Sequence, residues 1–183
     1  MIQVVILPVL SSSTNSPRDI VLALRNVELK DEDLGKIGIQ ISDEITEEQL
    51  YEASRHIIQA GKFQVTLGDM PGFTSSLVKA QLEKWPSMKL FQIDAQVIHQ
   101  ADQDSEWFVK VVDDLPEHVY FSMNVDGMNL DEVTSRELMN LTRELTHRRN
   151  VVGLDLIASS LQDDQPLFCA KLLYKMLSII FSH

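Results

Sequence analysis

Short apolar, β-branched runs alternate along this chain with stretches of helical periodicity. Val4 to Val9, Phe63 to Leu67, Lys89 to Ile93, Val119 to Met123 and Val151 to Leu156 read as strands, with Lys36 to Ile41 as an edge strand. Their near-continuous apolarity predicts interior strands, five or six in all. Thr46 and Gln49 form a capping box ahead of Leu50, Tyr51, Ala53, Ile57 and Ile58, and Gly61 supplies the stop. Gly72-Phe73-Thr74-Ser75-Ser76 starts a further helix. Thr134 and Glu137 repeat the capping device before Leu138, Leu141 and Leu145, with Asn150 ending that helix. Pro166 to Phe181 is apolar nearly all round, which predicts a helix buried in the fold or at a subunit interface. The alternation predicts an α/β protein: a mainly parallel sheet between two helical layers, a three-layer α-β-α sandwich, in a single domain over residues 1–183.

Composition narrows the function classes. With 183 residues, 44% of them apolar, the chain can bury a core without a staple. A formal charge of -11 argues against nucleic acid, because phosphate binding needs a clustered basic surface. The densest basic stretch, Arg143, His147, Arg148 and Arg149, falls in the last turn of a predicted helix, where cations suit the dipole. The apolar run from Met1 to Leu10 is too short to span a bilayer and reads as a buried first strand, so no membrane partner is expected. Cys169 sits alone in an apolar run, as a buried thiol in a reducing, cytoplasmic compartment would. The patch Ser11-Ser12-Ser13-Thr14-Asn15-Ser16-Pro17 reads as a linker to the next helix. Trp85 and Trp107 read as packing residues, and neither a phosphate-binding loop nor a nucleophile elbow is present.

Three segments fall where strands end: Leu67-Gly68-Asp69-Met70, Asp94-Ala95-Gln96-Val97-Ile98 and Asn124-Val125-Asp126-Gly127-Met128-Asn129. An open α/β sheet places its functional side chains at that edge. In this order the segments resemble the ureohydrolase family of arginases, agmatinases and formiminoglutamases, over about Phe63 to Phe181. Family members carry Gly-Gly-Asp-His, Asp-Ala-His-x-Asp and Asp-x-Asp-x-x-Asp-Pro at these places. The flanks are similar too: Val119-Tyr120-Phe121-Ser122, Val151-Val152-Gly153-Leu154-Asp155-Leu156 and Ala170-Lys171-Leu172-Leu173-Tyr174.

In the family, six side chains from these motifs hold two manganese ions that bridge a hydroxide, the usual way a metal pair makes a nucleophile at neutral pH. Carried over residue by residue, only Asp94 and Asp126 remain. Met70 and Gln96 stand where the family has histidines, and Ile98 and Asn124 where it has aspartates; each is a poorer donor, and Ile98 is none at all. Ala158 occupies the place of the family's substrate-side glutamate. The segment between the second and third motifs, His99 to Met123, is much shorter than in relatives, where it carries the catalytic histidine.

The resemblance and its losses together imply an arginase-like, reduced fold without catalytic residues and without a metal cofactor. Such a protein would serve a structural, regulatory or binding role, as a homo-oligomer or as a hetero-oligomer with an active relative. The alternative keeps Asp69, Asp94, His99 and Asp126 as a residual polar cluster. Asp94, Asp126 and His99 would then hold one divalent, manganese-like ion in a hydrolase of a small amidine or amide, a guanidino-type substrate. Otherwise the acids are structural, capping helices or bonding loop amides, and His99 is a solvated loop residue.

Overall fold

The computed structural model describes residues 2–11, 14–27 and 37–182, the side chains of Ser105 and Glu132 excepted. In chain order the elements are β1 (Ile2–Leu10), α1 (Ser16–Asn26), β2 (Ile37–Ile41), β3 (Ile45–Thr46), α2 (Glu47–Gln59), β4 (Phe63–Gly68), α3 (Phe73–Lys84) and β5 (Lys89–Ile93). They continue with α4 (Ala95–Gln103), α5 (Ser105–Asp113), β6 (His118–Asn124), α6 (Glu132–Arg148), β7 (Asn150–Ile157) and α7 (Gln165–Ile180). Lys36 of the expected edge strand and Ser12 and Ser13 of the serine-rich patch lie outside the described residues.

Every strand pairing is parallel, in the order β2-β1-β4-β7-β6-β5, with the two-residue β3 prolonging the β2 side of β1. The expected strands are present, each within two residues of its expected ends, and β3 is an addition too short to leave an apolar run in the sequence. One layer, α2 and α3, covers one face of the sheet; α1, α6 and α7 cover the other, with α4 and α5 beside α6. This is the three-layer α-β-α sandwich with a parallel sheet. Among the described residues no helix is long and apolar enough to cross a membrane.

The two faces of the sheet differ. On the α1, α6 and α7 side, Val4, Ile6, Val65, Leu67, Phe121, Met123, Leu154 and Leu156 pack against Ile20, Leu24, Leu138, Leu145, Leu173 and Leu177 in one continuous apolar core. On the α2 and α3 side the apolar cluster is small, built on Leu7, Val9, Leu50, Phe73, Leu77, Met88 and Tyr120. Polar rows fill the rest: Gln64 pairs in register with Gly153, which pairs with Tyr120, and Thr66 pairs with Asp155, which pairs with Ser122. β4, β6 and β7 are therefore interior yet alternate between apolar and polar, which departs from the near-continuous apolarity read from the sequence. β1 keeps its continuous buried apolar run from Val4 to Leu7, and Lys89 to Ile93, expected as an interior strand, closes one edge of the sheet as β5.

Local signals hold at most helix ends. Thr46 N–H donates to Gln49 Oε1 at 3.0 Å in the expected capping box, and Gly61 takes the left-handed conformation, φ +70°, just past α2. The capping role assigned to Thr134 is corrected: α6 starts earlier, and Asp131 is its N-cap, accepting from Thr134 N–H at 2.9 Å. An ionised carboxylate meets the helix-terminal amide better than a hydroxyl. That bond holds the Asp131 carboxyl below the usual carboxylate range. Asn150 opens β7 instead of ending α6, whose C-cap is Arg149. The apolar helix α7 is buried within this chain against α1 and α6, with Tyr174 Oη donating to Leu24 O at 3.2 Å.

Candidate functional site

Connections leave β1 toward β2 and leave β4 toward β5 at the opposite side of the sheet, so they diverge from the β1–β4 pair. A crevice at the carboxyl ends of such a pair is where open α/β sheets bind ligands. There the loop after β1 meets the end of β4: Ser11 Oγ and Thr14 Oγ1 both donate to Asp69 Oδ2, the latter at 3.1 Å. Asp69 is only 2% exposed, and its Oδ1 is buried with no partner. The serine-rich patch, expected to be a plain linker, is thus tied to the first motif across 58 residues of sequence. No local pattern could have signalled that contact.

Asp94, Asn124 and Asp126 are each committed to the backbone. Asp94 is the N-cap of α4, its Oδ1 accepting from Gln96 N–H and Val97 N–H, both at 3.0 Å. Asn124 Oδ1 accepts from Asp126 N–H at 3.0 Å, which shapes the turn after β6. Asp126 Oδ1 accepts from Ser159 N–H at 2.8 Å and so joins the turn after β6 to the end of β7. Ala158 is fully buried, its N–H donating to Gly68 O at 2.9 Å. Met70 is 39% exposed beyond β4, and Gln96 is exposed on α4.

His99 is not a loop residue, as the sequence suggested: it lies on α4, exposed, with its Nε2 2.9 Å from Gln103 Nε2. The helical spacing of Val97, Ile98 and Ala101 is the signal for α4 that the motif reading passed over. Ile98 is buried and lines a cleft of about 340 Å³ between α4, α5 and α6 with Phe108, Leu141, Asp102, Glu137 and Glu144.

These donors do not fit a pair of divalent ions. Ile98 offers no donor atom, Met70 offers a thioether, and Asp94 and Asp126 already each satisfy backbone amides. Among the described residues no group of three or more His, Cys, Asp or Glu is placed to hold a metal ion. Replacing Asp94 with Ala should therefore read as a lost helix cap, lowering stability by about 1 kcal/mol in a denaturant titration.

A second buried acid, missed as a site residue in the sequence, lies inside the sheet. Asp155 of β7 is 2% exposed between Thr66 and Ser122, and Thr74 Oγ1 of α3 donates to its Oδ2 at 2.8 Å. Tyr120 and Ser122 present their hydroxyls nearby, yet neither they nor Asp155 Oδ1 completes a well-aligned hydrogen bond. Burial raises the Asp155 carboxyl to about 6, against the lowering effect of the Ser122 and Thr74 hydroxyls. Burial also raises Tyr120, reinforced by the Asp155 charge.

The fold defines the class: this is an α/β protein with the ureohydrolase fold. Among solved structures it matches agmatine ureohydrolase of Thermoplasma volcanium, with a TM-score of 0.73 and 14% identity over 97% of this chain and 89% of that one. A Trypanosoma cruzi formiminoglutamase variant solved with manganese matches with a TM-score of 0.76 and 12% identity, over 96% and 92% of the two chains. Arginase from Bacillus cereus matches with a TM-score of 0.72 and 10% identity, over 99% of both. No protein-family model and no curated sequence matches, so the likeness lies in the backbone.

Proposed function

We propose that this chain is a ureohydrolase-fold protein without ureohydrolase activity, acting as a structural, regulatory or binding subunit. It would work in a homo-oligomer or beside an active relative. The observation that carries the reading is the use made of the surviving acids: Asp94 caps α4 and Asp126 clamps Ser159 N–H, work that needs a carboxylate but no ion. Asn124 supports it as well, since an amide oxygen completes the turn to Asp126 N–H as well as a carboxylate would while giving up negative charge. The metal-dependent hydrolase of a small amidine or amide remains the competing reading, built on Asp94, Asp126 and His99.

Elemental analysis of protein purified without chelator, combined with a thermal-shift titration of manganese, separates the two. The expected result is less than stoichiometric metal and no dose-dependent gain in Tm. A stoichiometric ion, or a manganese-dependent rise in Tm abolished by Asp94→Ala and by Asp126→Ala, would sink the proposal.

A further inference from the structure

We propose a binding site for a small planar aromatic carboxylate at the amino-terminal edge of the sheet, the end opposite the motif residues. A cavity of about 350 Å³ opens there between the ends of α2 and α3 and the starts of β4, β6 and β7. Its size falls within the range of about 300–1,000 Å³ usual for ligand pockets. Four observations converge on its chemistry.

The first is charge. The chain carries 27 acidic against 16 basic side chains, yet the lining of this cavity holds Lys62 and Lys84 and no carboxylate. The contrast with the α4–α5–α6 cleft is direct, since that cleft presents Asp102, Glu137 and Glu144. The hydrogen bonds the two lysines make go to neutral oxygens, Lys62 Nζ to Gln40 Oε1 at 3.5 Å and Lys84 Nζ to Ile58 O at 3.4 Å. Both are long, so the ammonium groups remain available to an anion.

The second is an ordered aromatic wall. Trp85 and His118, from the end of α3 and the start of β6, stack with ring centroids 4.0 Å apart and planes 21° from parallel. Lys84 Nζ stands 5.3 Å from the Trp85 ring centroid, which places positive charge beside an aromatic surface. The third is an apolar floor: Phe63 and Phe181 meet edge to face at 4.9 Å, with Val151 and Val152 beside them.

The fourth is an unmet hydrogen-bond acceptor. Gln81 lines the cavity and is 1% exposed; its Nε2 donates to Val152 O at 3.3 Å, and its Oε1 is buried with no partner. An orphaned buried acceptor calls for a donor. A ring carrying a carboxylate at one end and a hydroxyl or N–H at the other meets the lysines, the aromatic wall and Gln81 together. This site and the reading of the motif residues stand or fall separately.

The test uses the whole chain with Trp107→Phe, so that fluorescence reports Trp85 alone, and 4-hydroxybenzoate as the probe. Saturable 1:1 quenching with a Kd at or below about 1 mM is expected. Benzoate, which lacks the donor, and 4-hydroxybenzyl alcohol, which lacks the charge, should each bind roughly tenfold more weakly. Lys62→Gln with Lys84→Gln should weaken 4-hydroxybenzoate by at least about tenfold, and Gln81→Leu should erase its advantage over benzoate. Quenching that never saturates, equal binding of the alcohol, or affinity unchanged in the double-lysine variant would overturn the site.

Discussion

Raising the pH from about 4 to about 7.5 should cost this protein about 2 kcal/mol of stability through Asp155 alone. The Asp155 carboxyl titrates at about 6 in the fold and at about 3.8 in an exposed chain. A group raised in this way binds its proton more tightly when folded. Its contribution is complete below the lower value and disappears as the pH rises through the upper one. The direction is the reverse of ordinary acid denaturation. At neutral pH a carboxylate sits in the sheet, 2% exposed, with one well-formed hydrogen bond from Thr74 and an Oδ1 that has none. Asp155→Asn keeps the shape and removes the titration. Denaturant unfolding of both proteins at several pH values should show the variant gaining on the wild type as the pH rises, and a pH-independent difference would refute the assignment. The comparison also cancels the general repulsion of a chain at -11, which varies over the same range.

Gly153→Ala should destabilise the fold by about 2 kcal/mol, a large effect for one methyl group. A Cβ at this position would lie 2.7 Å from both Gln81 Nε2 and Tyr120 Cε2. Gln81 Nε2 is the far end of a flexible side chain beside a cavity and can give way, but the Tyr120 ring is fully buried and has no space to withdraw. β7 lies between β4 and β6, and its backbone is held on both sides. Gly72→Ala is the matching control: nothing lies within 4 Å of its Cβ position, and φ is an ordinary -59°. There the change should be neutral or stabilising by a few tenths of a kcal/mol, through the unfolded chain. Equal losses in the two variants, read as shifts in denaturant midpoint, would show that close packing against Tyr120 is not the cause.

The fold was legible because apolar runs and capping residues act locally. Lys89 to Ile93 is a strand as read, and Thr46 with Gln49 starts a helix as read. The start of α6 was misplaced because Thr134 and Asp131 are both competent caps three residues apart, and only the formed bond distinguishes them. The polar face of the sheet was written in the alternation of Phe63-Gln64-Val65-Thr66-Leu67, yet a general richness in β-branched residues masked it. Sequence order placed Asp94, Asn124 and Asp126 at strand ends, but their partners were out of reach. Asp126 bonds an amide 33 residues away, and Asp69 is held by Ser11 and Thr14 from the far side of the first helix. Such bonds exist only once β1 lies beside β4 and β6 beside β7.

The alternation along β4, β6 and β7 also fixes how the strands align. Side chains repeat every two residues, so sliding one strand past its neighbour by a single position exchanges its faces. In a sheet apolar on both sides such a slip would be nearly silent. Here it would drive Gln64, Thr66 and Asp155 into the aliphatic layer under α1, α6 and α7 and deliver Val65 and Leu154 to Thr74 and Gln81. A buried acid in a dry layer without a partner is far worse than one facing hydroxyls. The polar rows that leave one side of the sheet short of apolar contact therefore exclude its misaligned forms.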